Sequence, residues 1–221
     1  LVGLRNVILG PAGDLAAKKR VYIVPHGPLH TLPFAALVTE AELVFAPSAT
    51  LLLRHHMAVV ARAETGGCLA IGYAGNRPTG KLHFTEAEVT AIAAITAGRA
   101  LAGAQSKQAS LPELARQARW IHFACHGAFE VADPLASYLE IGANEYLTAR
   151  EVLETWRLSA ELVTLSACLS GTSKILRGDE PMGLVRAFLA VGARAVLVTQ
   201  WEVDDLATFL LMQRFYTLLR D

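Results

Sequence analysis

The stretch "WIHFACHG", residues 120–127, carries the strongest fold signal in this chain. It is an almost continuous apolar run that ends in a histidine and a glycine. A second stretch, "ELVTLSAC" at 161–168, has the same form and ends at Cys168. Near-continuous apolar runs of this length are typical of strands buried on both faces of a parallel sheet. We therefore predict two buried strands that carry chemically active side chains at their carboxyl ends.

Similar strands alternate with helical patterns along the rest of the chain. Alternation of this kind predicts an α/β fold with a mostly parallel sheet and helices on both of its faces. Ser48 and Thr148 are predicted N-caps, and Thr85 with Glu88 has the spacing of a capping box. The predicted strands are 20–25, 68–75, 100–103, 120–127, 161–168 and 194–201, with 137–142 as an edge strand or hairpin arm. The predicted helices are 48–63, 85–98, 110–118, 148–156, 181–193 and 204–219.

Composition limits the classes of function. The 221 residues are 53% hydrophobic, which suits a single domain over residues 1–221. Lys and Arg number 20 and so do Asp and Glu, so bulk charge gives no reason to expect a nucleic acid or an acidic membrane as partner. Arg186 and Arg194 interrupt the longest apolar segment, so no membrane span is expected. Three cysteines without short spacing indicate a reducing, cytoplasmic setting, and the absence of an initial Met suggests a piece of a longer protein.

Two other motifs are weak candidates for binding sites. The segment "GNRPTGK" at 75–81 has the glycine and lysine spacing of a phosphate loop, but Leu82 stands where that loop needs Ser or Thr. A solvent-exposed loop is therefore favoured over nucleotide binding. The histidine pairs 26 and 30, and 55 and 56, lack the spacing and the additional ligands of a metal site. We predict neither a metal nor a cofactor.

The two strand ends indicate nucleophilic chemistry. A thiol becomes a strong nucleophile when a neighbouring imidazole takes its proton, so Cys168 and His126 form a candidate pair. The backbone N–H groups of Gly127 and Cys168 are candidate donors to an oxyanion. Cys125 falls on the opposite face of its strand and is predicted to be core, as is Cys68. His122 shares the face of His126 deeper in the strand and is expected to be a hydrogen-bonded structural residue, while an ordinary buried cysteine remains the alternative for Cys168.

The order and spacing of the motifs resemble a known family. Caspases carry an Ala-Cys-x-Gly signature about 50 residues after their histidine. Here Cys168 follows His126 by 42 residues, with its glycine one place late. The wider pattern resembles the CHAT domain, a family of cysteine peptidases related to caspases and separase. The blocks that match are "VYIVPHGPLHTLPFAAL" (21–37), "APSATLL" (46–52), "WIHFACHG", "LVTLSACLSG", "GDEPMGLVRAFLAVGARAVLVTQWEVDDLAT" (178–208) and "LMQRFY" (211–216).

This resemblance implies both a fold and an activity. The implied fold is a caspase-like three-layer α/β/α sandwich with a mostly parallel central sheet. The implied function is a cysteine endopeptidase that cuts a protein substrate through a dyad carried onto His126 and Cys168. The family also implies an N-terminal helical-repeat region of the tetratricopeptide type in the parent chain. The alternative is a catalytically silent scaffold or signalling module.

The segment "TQWEVDDLAT" at 199–208 suggests a substrate preference. It follows the strand predicted beside that of Cys168, so its carboxylates are expected at the same sheet edge. The segment resembles the part of separase-type peptidases in which an aspartate receives the substrate's arginine. On that alignment Asp205 would bind a basic residue before the cut, with Glu202 and Glu180 as weaker candidates. Asp204 or Asp205 could instead cap the last helix.

Overall fold

The structure of the chain is a computed structural model. It describes residues 2–15, 17–27, 29, 32–57, 66–75, 81–103, 110–130, 132–169, 182–199 and 203–221. The chain divides into two compact units, one formed by residues 1–59 with 177–179 and the other by residues 60–176 with 180–221. A single domain over 1–221 stays a prediction.

The first unit contains short helices and a small parallel sheet. Strands β1 and β2 pair in parallel, with Arg20 opposite Glu42 and Ile23 opposite Phe45. Phe34 is buried, and its ring meets the edge of Phe45 with ring centroids 6.0 Å apart. The elements are α1 (Val2–Leu9), a 3-10 turn (Gly10–Ala12), β1 (Arg20–Ile23), α2 (Phe34–Leu37), β2 (Glu42–Phe45) and α3 (Ala49–Met57).

The second unit is built around a larger sheet. Its strands are β3 (Cys68–Gly72), β4 (Arg99–Ala102), β5 (Trp120–Ala128), β6 (Tyr138–Gly142), β7 (Glu145–Thr148), β8 (Leu162–Leu169) and β9 (Val196–Val198). Its helices are α4 (Thr85–Ile95), α5 (Leu111–Gln117), α6 (Ala149–Thr155), α7 (Met182–Ala190) and α8 (Asp205–Arg220), with a 3-10 turn at Pro134–Ala136.

The sheet of the second unit is mixed. Strands β4, β3, β5, β8 and β9 pair with one another in parallel, in that order. The hairpin of β6 and β7 pairs antiparallel with the last residues of β5, beyond the end of β3. The segment 137–142 is therefore a hairpin arm, as the sequence allowed. Because of this hairpin the expectation of a mostly parallel sheet is not confirmed, and the fold is a mixed α/β fold with a multi-strand sheet.

Helices cover both faces of this sheet. On β5, Ile121, Phe123 and Cys125 belong to one hydrophobic cluster, whereas Trp120 and Ala124 belong to another. Alternate residues of a strand point to opposite faces, so the two clusters lie on the two sides of the sheet. Helices α5, α6 and α7 contribute to the first cluster, and α4 and α8 contribute to the second. Among the described helices, none combines the length and the apolar character needed to cross a membrane.

Two of the three predicted helix caps are present. The Ser48 hydroxyl accepts the N–H of Leu51 at 3.1 Å, and Thr148 forms a capping box with Glu151. The third prediction is wrong, because Thr85 lies inside α4 and the cap position is Phe84, which has no side-chain capping bond. Glu88, the expected partner in that box, is 2% exposed and bonds a histidine of the sheet instead.

Candidate active site

His126 and Cys168 are neighbours in the sheet. Both lie near the carboxyl ends of parallel strands, His126 on β5 and Cys168 on β8, and they are paired in register. Neighbouring strands lie about 4.8 Å apart, so the two backbones run side by side at this point. The sheet thus brings together two residues that are 42 positions apart in the sequence.

The His126 side chain is almost completely buried. The residue is 7% exposed, and its Nδ1 atom is buried without a hydrogen-bond partner among the described residues. A buried polar atom without a partner costs about 1–3 kcal/mol. An imidazole nitrogen held in this way is available for a partner at the same edge of the sheet.

Gly75 fixes one boundary of the His126 ring. It follows β3 and has a positive φ of 83°. A Cβ atom at this position would lie 2.7 Å from Cδ2 and 2.8 Å from Nε2 of His126. Only a residue without a side chain fits so close to the ring with this backbone conformation. The sequence of the segment 75–81 predicts a solvent-exposed loop, and no local pattern indicates that its first residue contacts the ring. Residues 76–80 of that loop lie outside the described residues.

Gly127 is flanked by strands on both sides. It is in register with Leu139 of β6 and Leu169 of β8, and the preceding residue His126 is in register with Glu140 of β6. The residue expected to supply an oxyanion donor therefore sits inside the sheet, next to the candidate pair.

Asp205 begins α8 and contacts the segment that leads into α4. Its Oδ2 atom accepts the backbone N–H of His83 at 2.6 Å and that of Phe84 at 3.1 Å. The neighbouring Asp204 is the N-cap of α8 and accepts the N–H of Ala207 at 2.8 Å. Of the two aspartates considered as caps of the last helix, Asp204 has that role. The other acidic candidates, Glu180 and Glu202, lie outside the described residues.

His122 belongs to a buried polar network, as predicted. Its Nε2 atom is 2.8 Å from Glu88 Oε1, and its Nδ1 atom is 3.3 Å from the hydroxyl of Tyr216. That hydroxyl also lies 2.9 Å from the hydroxyl of Thr164 on β8. Both ring nitrogens are thus occupied, so His122 has no nitrogen left for a substrate. Neither Glu88 nor Tyr216 was singled out as a partner from the sequence.

The other two cysteines lie in the core. Cys125 is 0% exposed and Cys68 is 1% exposed, and both thiols are free. Burial raises the pKa of Cys68 to about 12. Burial also raises the pKa of Cys125, and the negative charges of Glu140 and Glu88 add to the effect. Neither thiol forms a thiolate near neutral pH, which agrees with their prediction as core residues.

Among the described residues there is no group of three or more His, Cys, Asp or Glu side chains that could hold a metal ion. His26 is exposed, and His30 lies outside the described residues.

Comparison with protein families identifies the chain. The family model of the CHAT domain matches residues 3–221. The chain belongs to the CHAT domain family. That family is related to cysteine peptidases, so membership supports a hydrolase at the family level.

Curated relatives of this CHAT domain include Tetratricopeptide repeat protein 28 from Mus musculus and from Homo sapiens. Each is 40% identical over 73 residues, which is 33% of this chain. The chain spans 3% of the length of either relative.

Proposed function

We propose that this CHAT domain is a cysteine endopeptidase with Cys168 as nucleophile and His126 as general acid and base. The observation that carries the proposal is the register of the two residues at the carboxyl ends of parallel strands. The buried Nδ1 atom of His126, without a partner among the described residues, supports it further. We assign Cys168, which is in register with His126, as the partner of that atom.

The proposed reaction proceeds in two steps. His126 takes the thiol proton, and the Cys168 sulfur attacks the scissile carbonyl carbon to form a C–S bond and an oxyanion. When the C–N bond breaks, the imidazolium gives its proton to the leaving amine. His126 then removes a proton from water, the hydroxide attacks the thioester, and the C–S bond breaks to return the thiol.

The oxyanion donors in this proposal are the backbone N–H groups of Gly127 and Cys168. Fixed donors of this kind typically contribute about 3–4 kcal/mol to the stabilisation of the transition state.

We extend the proposal to the layer architecture of the fold, to the parent chain and to the cellular location. Hydrophobic clusters on both sides of the sheet support a caspase-like three-layer α/β/α sandwich. The similarity to Tetratricopeptide repeat protein 28 supports a parent chain with a helical-repeat region. We also propose a cytoplasmic location, since a nucleophilic thiol must stay reduced.

The proposed substrate is a protein cut after a basic residue. Asp205, Glu202 and Glu180 are the candidates for recognition, and a carboxylate that binds arginine through two hydrogen bonds discriminates well against neutral side chains. In Asp205 the Oδ2 atom already accepts two backbone N–H groups, so an arginine would have to be bound mainly through Oδ1. Peptides that differ only at the residue before the cut measure this preference.

The proposal is tested by substitution of the dyad. Cys168→Ala and His126→Ala should each abolish cleavage, by a factor of about 10³ or more, while the melting temperature stays near that of the wild type. Cys125→Ala is the matched control, because this thiol is buried and adjacent to His126 in the sequence. It should keep most of the activity, with a modest loss of stability.

A thiol-directed activity probe separates the enzyme from the silent scaffold. Labelling of Cys168 that depends on His126 supports the dyad. If the parent chain with its native partners shows neither labelling nor cleavage, the catalytically silent alternative is correct. An active Cys168→Ala variant would refute the nucleophile assignment.

A further inference from the structure

Asp205 holds a segment that is distant in the sequence. Its Oδ2 atom accepts two consecutive backbone N–H groups, at 2.6 Å from His83 and 3.1 Å from Phe84. The separation in sequence is 122 and 121 residues. Hydrogen bonds to an ionised carboxylate are about twice as strong as those between neutral groups. The first residue of α8 is thereby hydrogen-bonded to the two residues that precede α4.

An aromatic contact between the same two parts of the chain adds to these hydrogen bonds. The rings of Phe84 and Phe209 are stacked, with centroids 5.8 Å apart and an angle of 14° between their planes. Phe209 lies one helical turn after Asp205, so the first two turns of α8 hold the same segment by polar and apolar contacts. Asp204 already caps α8, which leaves the Asp205 carboxylate free for this second task.

The segment bound by Asp205, residues 82–84, is connected by a hydrogen bond to the backbone beside His126. Leu82, the residue before His83, donates its N–H to the carbonyl of Ala74 at 3.0 Å. The next residue in the sequence is Gly75, whose α-carbon borders the His126 ring. On the other side, the N–H of Tyr73 is anchored to the carbonyl of Ala124 on β5 at 2.9 Å. The backbone beside the ring is therefore tied to the sheet at one end and to α8 at the other.

We infer that Asp205 is a positioning residue that fixes the backbone at Ala74 and Gly75 against the His126 ring, by anchoring residues 82–84 to α8. The inference rests on the proposed function, because it assigns His126 as the catalytic base. Without the carboxylate the segment loses its anchor, and the ring loses one of its boundaries. A displacement of about 1 Å in a catalytic group can cost on the order of 100-fold in rate.

The experiment compares Asp205→Ala and Asp205→Asn with Asp204→Asn as the matched control. The control removes a neighbouring charge but keeps a side chain that caps helices equally well. Each variant is assayed for kcat and KM on peptides with Arg or a neutral residue before the cut. The imidazole NMR signals of His126 are recorded on the same proteins without substrate.

Asp205→Ala should lower kcat about 10- to 100-fold on every peptide that is cleaved, with little change in KM. Asp205→Asn should recover much of that loss, because its amide oxygen still accepts an N–H, whereas a guanidinium site would lose its essential charge. The His126 signals should shift in Asp205→Ala and remain in place in Asp204→Asn.

Two results would overturn the inference. One is an Asp205→Ala variant with unchanged kcat and unchanged His126 signals. The other is a loss confined to KM for the arginine peptide with the His126 signals unchanged, which would make Asp205 a substrate-binding residue only. If the parent chain with its native partners shows neither cleavage nor labelling of Cys168, the proposed function fails, and the NMR comparison alone still decides whether Asp205 positions His126.

Discussion

At the scale of single residues, the candidate catalytic histidine differs from the structural one in its hydrogen bonds and in the packing around its ring. His122 and His126 lie four residues apart on β5, yet His122 uses both ring nitrogens within the core. His126 keeps a buried Nδ1 atom without a partner among the described residues. Its ring lies against Gly75, where the backbone approaches too closely for any side chain.

Gly75→Ala should therefore damage catalysis more than stability. The new methyl group would need the space held by the His126 ring, and alanine at a φ of 83° adds strain of about 1–2 kcal/mol. We expect kcat to fall by at least 10-fold, measured with a cleaved peptide alongside the melting temperature.

Gly103→Ala is the matched control for this prediction. It has a φ of 57°, and no atom of the described residues lies within 4 Å of the added Cβ, so it serves as the variant with backbone strain alone. Cleavage rates that are equal in the two variants would show that contact with the ring is unimportant.

At the scale of elements, one buried network ties four parts of the second unit together. Glu88 is on α4, His122 on β5, Thr164 on β8 and Tyr216 on α8. All four residues are at most 2% exposed, so their polar atoms depend on one another rather than on water. The network holds both helices of this face onto the two strands that carry the candidate dyad.

Glu88→Ala should lower the free energy of unfolding by about 2–4 kcal/mol, because it leaves a buried imidazole nitrogen unpaired. Urea denaturation measures the loss. Glu86→Ala is the control on the same turn of α4, where the side chain is exposed, and it should change the stability by less than about 0.5 kcal/mol. Equal losses in the two variants would contradict the structural role of the network.

At the scale of the whole molecule, buried neutral acids make the fold sensitive to alkali. Burial raises the pKa of Cys68 from 9.0 to about 12, and burial also raises the pKa values of Cys125 and Tyr216. At a pH above the pKa of such a group in the unfolded chain and below its pKa in the folded chain, the unfolded chain has released a proton that the folded chain still holds. Stability therefore falls as the pH rises through this range.

We expect the free energy of unfolding to decrease steadily from about pH 9, by up to about 1.4 kcal/mol per pH unit for each of these groups. Urea midpoints between pH 8 and pH 10.5 measure this in a Cys168→Ala background, which removes the third thiol. Adding Cys68→Ala and Cys125→Ala should flatten the profile. A profile that is flat before these two substitutions would refute the prediction.

The sequence by itself determined what local interactions decide. The apolar runs at 120–127 and 161–168 became β5 and β8, because continuous burial requires that composition. The caps at Ser48 and Thr148 formed because cap and partner lie within three residues of each other. The core positions of Cys125 and Cys68 and the structural role of His122 followed in the same way, from strand alternation and depth. The short strand β7 was missed, since its sequence EYLT begins and ends in a polar residue and forms no continuous apolar run.

Only the tertiary structure decided which distant groups meet. The spacing of Thr85 and Glu88 suggested a local cap, but Glu88 gains more by pairing with a buried histidine 34 residues away. Asp205 contacts backbone groups more than 120 residues before it, and Gly75 meets a ring on a different strand. Strand order, the hairpin beside β5 and the register of His126 with Cys168 are likewise non-local. Such contacts depend on how whole elements pack, and a local pattern of residue types does not encode their partners.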